Sequence, residues 1–236
     1  MKKVPRRPPG RRTASPRTLV TAPGTRRRTT HRPYHHGDLR AALVASAARL
    51  AAERGPAFVS LREVARRADV SQAAPYHYFA DKADLLAAVA EEGFRAFDAH
   101  QAAALEAASA DPFDRLAALG VSYVRFAFDL PHFFRVMFRP HQFDPSRYPA
   151  VADVSARAFG RLVDTVRRAR LAAGHDDADP IVAAWLVWAL PHGIAHLYLD
   201  GPGASAPLDP RGIEAPLRAA AEAVVRTELS RATSLD

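Results

Sequence analysis

The 236-residue chain is 48% hydrophobic and 25% charged, has no cysteine and carries a formal net charge of +8. That length holds one or two domains with a sizeable core. The absence of cysteine excludes a disulfide framework or a Cys-based zinc site and suits a cytoplasmic address.

The charge is concentrated at the start. Lys2, Lys3, Arg6, Arg7, Arg11, Arg12, Arg17, Arg26, Arg27, Arg28 and Arg32 put 11 bases and no acid into residues 1–32, leaving 22 bases against 25 acids in the rest. Residues 1–33, rich in Pro, Arg, Thr and Gly without apolar periodicity, are expected to be a disordered basic arm. Two readings of that arm stand side by side: an electrostatic arm for phosphates or anionic surfaces, and a plain extension, such as one arising from an upstream start codon. It lacks the apolar segment of a secretory signal. No run of about 18 apolar residues is evident, so neither a membrane-spanning helix nor a membrane partner is expected.

From residue 34 onward the chain reads as all-α. Alanine is abundant, β-branched runs are short, and no strand-and-hairpin pattern occurs. Leu39, Leu43, Ala47 and Leu50 recur at helical spacing and predict a helix over 37–54, ended by Gly55-Pro56. The run 60-SLRE-63 has the form of a capping box opening a short helix over 61–68. Asp69-Val70-Ser71 follows as a tight turn, and Ser71 is a good N-cap for a third helix over 72–79, with Pro75 tolerated in its first turn. Asp81 then caps a long helix over 82–107. Two short helices joined by a three-residue turn form a helix-turn-helix.

The third of these segments carries Tyr76, His77, Tyr78 and Phe79 in a row. Successive helical residues lie about 100° apart, so the four rings cannot all point inward. A helix docking in a DNA major groove gives the outward ones a partner. On that reading Val70 and Phe79 pack inward, while Gln72 and Ala73 meet base edges. Gln pairs with adenine and Ala touches a thymine methyl. Tyr76 and His77 lie toward the sugar-phosphate backbone, and Lys82 adds a charge to a phosphate. Tyr78 packs against neighbouring helices.

Residues 34–92 resemble the DNA-binding domain of the TetR/AcrR family of bacterial repressors. The resemblance is carried by 60-SLREVARRADVSQAAPYHYFADKADLL-86, in which Ala65, Ala68, Val70, Ser71, Tyr76, Phe79, Lys82 and Leu85 agree with the family pattern. It implies DNA contacts by Ser71, Gln72, Ala73, Tyr76, His77 and Lys82. Three positions depart from the pattern: Asp69 replaces the usual Gly, Pro75 the usual Leu, and Tyr78 the usual His.

Further helices are expected over 112–129, 131–139, 149–173, 179–199 and 211–230, four of the starts marked by Asp111-Pro112, Leu130-Pro131, Asp179-Pro180 and Asp209-Pro210. The stretch 200-DGPGASAPLDP-210 reads as a connection. Aromatics concentrate in 113–138 and 181–201 and suit either ordinary core or an apolar cavity. The candidate ligand residues are Phe126, Phe134, Met137, Trp185, Trp188 and His192. Trp188, Pro191-His192-Gly193 and Asp200-Gly201 resemble the WHG C-terminal domain of a subset of TetR-like regulators. His192 and His196 share a helix face, but Gly193 stands where the H-E-x-x-H zinc motif needs Glu, so no metal is expected. Ile213, Leu217, Ala220, Ala221, Val224, Val225 and Leu229 make an apolar face, either core or partner-facing.

The expected organisation is a basic arm (1–33), a three-helix helix-turn-helix domain (34–84) and a helical effector-binding and dimerisation bundle (85–236). The expected partners are double-stranded DNA, a small-molecule effector and a second copy of the chain, paired through 179–199 and 211–230. No cofactor and no catalytic residue is expected, because no nucleophile, paired-carboxylate or phosphate-loop constellation occurs. The alternative reading is a tail-driven, non-specific DNA-binding protein.

Overall fold

In the computed structural model, residues 36–138, 143–175, 179–201 and 209–227 are described, and the expected arm lies outside them. Among the described residues there are eight α-helices and no strand, an all-α fold with an N-terminal helix-turn-helix. Helix α1 (His36–Arg54) buries Leu43, Ala47 and Leu50 on one stripe, with Leu39 partly buried beside them. Gly55, at φ 88°, stops it in a conformation open to glycine, and a 3₁₀ turn, Pro56–Phe58, leads on.

Helix α2 (Leu61–Arg67) begins at Ser60, whose hydroxyl accepts from the Glu63 amide at 3.2 Å. Only that half of the expected capping box is seen. The Glu63 carboxylate turns outward to Arg66 (2.7 and 2.8 Å) and Arg67, which hold it down to about 2. At the other end, Val70 N–H donates to the Ala65 carbonyl at 3.1 Å and Asp69 sits at φ 55°. This is the Schellman ending, with Asp69 in the left-handed position that glycine usually fills.

The segment expected to be a third helix over 72–79 is instead a 3₁₀ turn, Ala74–His77. Its amides bond three residues back: Ala74 to Ser71, Tyr76 to Ala73 and Tyr78 to Pro75. Pro75 supplies the reason, having no N–H to bond a preceding carbonyl. Ser71 accordingly bonds through its backbone carbonyl and makes no side-chain cap.

Helix α3 (Lys82–Ala107) starts where Asp81 Oδ1 accepts from the Asp84 amide at 2.9 Å. Its first half, with Leu85, Leu86 and Val89, closes a core over α1, α2 and Phe79. Helix α4 (Pro112–Asp129), capped by Asp111 Oδ1 on the Phe113 and Asp114 amides, is the most enclosed helix of the bundle. Helix α5 (Pro131–Met137) crosses α3 at Gly93, where a Cβ would meet Met137 Sδ at 2.6 Å. Val136 of α5 and Val151 of α6 (Pro149–Ala172) join the first core, so it continues into the bundle and the described residues form one compact unit.

Helices α7 (Ile181–Asp200) and α8 (Glu214–Arg226) complete the bundle. The last helix starts later than expected, after a 3₁₀ turn over Pro210–Ile213, and residues 228–230, with Leu229, lie outside the described residues. So does most of the 200–210 connection. Ile213, Leu217, Ala221 and Val225 face their own bundle, so four of the seven residues of that apolar face are core. Arg170, buried, donates to the Val225 and Thr227 carbonyls and so closes the C-terminal end of α8.

Helix α7 departs from expectation. By length and composition it could cross a membrane, with a mean hydropathy of 1.4 and no charged residue before Asp200. Pro191, His192 and His196 hide the run from a search for unbroken apolar residues. Ala183, Ala184, Pro191 and Ala195 bury one face. Leu186, Leu190 and Leu197 stay exposed on the other.

Candidate nucleic-acid interface and apolar cavity

The 3₁₀ turn sorts its side chains by face. Pro75 and Phe79 are buried, and Val70 and Tyr78 pack partly buried against the same core. Pro75 thus occupies the inward position itself. Ser71, Gln72, Ala73, Tyr76 and His77 are exposed, Tyr76 at 53%. Five of the six expected DNA-contacting residues are therefore uncovered. The sixth, Lys82, is half-buried. Its Nζ donates to the Ala57 carbonyl at 2.7 Å, and burial lowers its pKa. That bond ties the start of α3 to the loop before α2. The neighbouring Phe58 ring is 66% exposed.

Asp84 holds the far end of the turn. One carboxylate oxygen accepts from the Ala80 amide at 2.9 Å, directly after Phe79. The other accepts from the Tyr148 hydroxyl at 2.8 Å. Tyr148 is the N-cap of α6, so one carboxylate joins the exposed turn to the head of a bundle helix. The two bonds keep the Asp84 carboxyl below its ordinary value, while burial first and then the bond to Asp84 push the Tyr148 phenol up to about 12.

Helix α6 also walls a cavity of about 460 Å³. Phe94, Phe97 and Gln101 of α3 form one side, at the i, i+3, i+7 spacing of a single helix face. Tyr123, Phe138, Trp185 and Trp188 line it too, Trp185 as a largely exposed side chain. Opposite, Ala152, Ser155, Ala156 and Ala158 of α6 are small, and the space exists because nothing there fills it. Phe159 and Leu162 complete the wall.

Of the six expected ligand residues, Trp185 and Trp188 line the cavity. Phe126 and Phe134 are fully buried and Met137 nearly so, packed behind the wall against Phe97 and Tyr123. His192 stands one layer back. Its Nδ1 is 2.5 Å from the Tyr123 hydroxyl. Burial raises the Tyr123 pKa, so the phenol keeps its proton, and the His192 tautomer sets which of the two donates. Burial, and next the His196 ring, push His192 down to about 4. His196 lies 4.5 Å away, ring to ring. Arg135 donates to Asp200 (3.0 Å), the Leu199 carbonyl (2.9 Å) and the Ala52 carbonyl of α1 (3.3 Å).

Phe94, Phe97, Gln101, Tyr123 and Phe159 were not among the expected ligand residues. The α3 trio could have been found from its spacing. The pairing of bulky α3 rings with the small α6 face is tertiary and has no signature along the chain.

Residues 43–89 match the family described as bacterial regulatory proteins, tetR family. Residues 116–227 match the tetracyclin repressor-like C-terminal domain. Among solved structures, a protein of unknown function from Rhodococcus sp. RHA1 is 32% identical, covering 83% of this chain and 98% of that one, with a TM-score of 0.66. A bacterial regulatory protein in the tetR family from Rhodococcus RHA1 is 24% identical over 79% of this chain and 96% of that one (TM-score 0.65). The TetR family transcriptional regulator PfmR from Thermus thermophilus is 23% identical over 78% and 97% (TM-score 0.60). No curated protein matches the chain.

Proposed function

The chain belongs to the TetR family of transcriptional regulators, and from that premise we propose that it is a homodimeric, cytoplasmic repressor, released from a palindromic operator by a small apolar effector. The observation that carries the DNA-binding half is the turn over 71–77, whose inward Pro75 and Phe79 anchor a surface of five exposed side chains. Gln72 and Ala73 read bases there, Ser71, Tyr76 and His77 meet the backbone, and Lys82 reaches a phosphate after leaving the Ala57 carbonyl.

A single short element reads too few bases for an operator, and two related by a two-fold axis read both halves. The exposed apolar face of α7, with Leu186, Leu190 and Leu197, supports a second copy as its cover. On α8, Pro216, Ala219 and Ala223 are exposed and small, which favours close helix approach in the same interface.

Release follows as a population shift. The effector fills the cavity between α3 and α6. The fit favours a state in which α6 has moved, and Tyr148 carries that motion through Asp84 to the Ala80 amide and the reading turn. Helix α3, which runs from the turn to the cavity, is the lever. A preference of a few kcal/mol for one state is enough to empty the operator.

The test is a binding titration on a duplex selected by the protein. Replacing Gln72 and Tyr76 together by Ala is expected to weaken binding by about 10- to 100-fold, the worth of one or two base or stacking contacts, with the thermal midpoint unchanged because both side chains are exposed. Unaltered affinity would remove this surface from the interface.

A further inference from the structure

The cavity wall has a distinctive chemistry. None of its 13 side chains is charged. An ion pair joins its two main helices, Arg161 with Asp98 at 2.6 Å, with neither residue on the wall and Arg161 Nε buried without a partner. The hydroxyls on the wall are already hydrogen-bonded: Ser155 donates to the Ala152 carbonyl at 3.0 Å, and the Tyr123 hydroxyl pairs with His192 Nδ1. His192, behind Tyr123, is neutral at physiological pH and offers no positive charge.

Gln101 is different. It is only 5% exposed, and its Oε1 has no hydrogen-bond partner. Together with Tyr123, Leu162 and Trp188 it lines both the main cavity and a smaller void, so the residue borders two empty spaces. A buried carbonyl oxygen without a donor is costly, and natural cores rarely keep one without a use.

We propose that this cavity binds an uncharged apolar molecule carrying a hydrogen-bond donor, an alcohol, phenol or amide N–H, which meets the Gln101 side chain, and that it rejects carboxylates and other anions. The proposal rests on the effector reading above and names the chemistry of that effector. The rings and aliphatic groups supply the burial of the apolar body. Gln101 supplies orientation, and a ligand without a donor leaves its oxygen unpaired. An anion entering the wall meets no cation, and an unpaired charge in such surroundings is strongly disfavoured.

The chain offers its own probe. It has two tryptophans, Trp185 and Trp188, and both line the cavity, so tryptophan emission of the full chain reports on this site. Three compounds transparent in the tryptophan band share one apolar frame: decahydro-2-naphthol, its methyl ether, and decahydronaphthalene-2-carboxylate. The alcohol is expected to bind, the ether about three- to tenfold more weakly, and the carboxylate at least about 100-fold more weakly. In Gln101→Leu the alcohol and ether should bind equally, and the variant should be no less stable because it loses an unpaired buried polar group. Gln101→Met serves if the leucine variant does not fold.

Carboxylate binding on a par with the alcohol, a preference for the alcohol that survives loss of Gln101, or no response to any of the three would each overturn the proposal. The same preparations are tested for duplex selection. A chain that binds the alcohol and selects no duplex would overturn the regulator reading and leave the ligand chemistry standing.

Discussion

Asp69 holds φ 55° where the turn after α2 needs a left-handed residue, and it does so without glycine's freedom. Its short polar side chain makes the position tolerable, but a cost remains. Asp69→Gly is expected to stabilise the protein by about 0.5–1 kcal/mol, read as a higher thermal midpoint with unaltered DNA affinity; a lower midpoint would show that the Asp69 side chain does more than fill the turn. A second residue-scale consequence concerns His192. Its folded value, pushed down to about 4, lies below the ordinary histidine value of 6.5. Above pH 6.5 both folded and unfolded chains are neutral there, and the residue has no effect on the pH dependence. Between pH 6.5 and 4 the unfolded chain takes up a proton that the folded chain refuses, so stability falls as pH falls. His132, also lowered by burial, acts with the same sign, so the measurement is a difference. Thermal midpoints of wild type and His192→Asn should converge on acidification through that window; parallel curves would show that His192 is not shielded.

Elements whose ends are set by local chemistry were legible in the sequence. Asp81 and Asp111 cap their helices through their carboxylates, Pro112 occupies the first position of α4, and the expected spans 82–107 and 112–129 are those observed. The third helix was misread because the cost of Pro75 depends on how many turns surround it. In a long helix a proline near the start is free, whereas in eight residues it leaves too few i to i+4 bonds, and the segment tightens to 3₁₀. Its exposed face survives that change, because Val70, Pro75 and Phe79 still pin the other side. The cavity was legible only in part. Aromatic richness pointed to α4, α5 and α7, while the wall is completed by α3 rings opposite small α6 residues, a juxtaposition made by packing. At this scale the account predicts that Tyr148→Phe, which cuts the link between α6 and Asp84, leaves operator affinity within about threefold but blunts release by effector. Full release by the phenylalanine variant would mean that the signal travels another way.

The whole molecule carries two unbalanced features, an Arg-rich sequence over residues 1–32 and the exposed apolar face of α7. The second was not legible, because the spacing of α7 shows which residues are apolar and not which of two apolar faces the subunit itself covers. If a second copy covers it, the protein sediments at twice the 25.7 kDa of the chain, and replacing Leu186 and Leu197 together by Glu gives a folded monomer that has lost operator binding. A monomeric wild type would contradict the interface.

The central claim is sequence-specific recognition by the turn over 71–77. It is tested most directly by genome-fragment selection at physiological salt, with the full chain and with a chain lacking residues 1–32. The account predicts that both recover the same short palindrome, the shorter chain more weakly and with a shallower salt dependence. Random fragments from the full chain and none from the shorter one would contradict it, and would assign DNA binding to the basic arm alone.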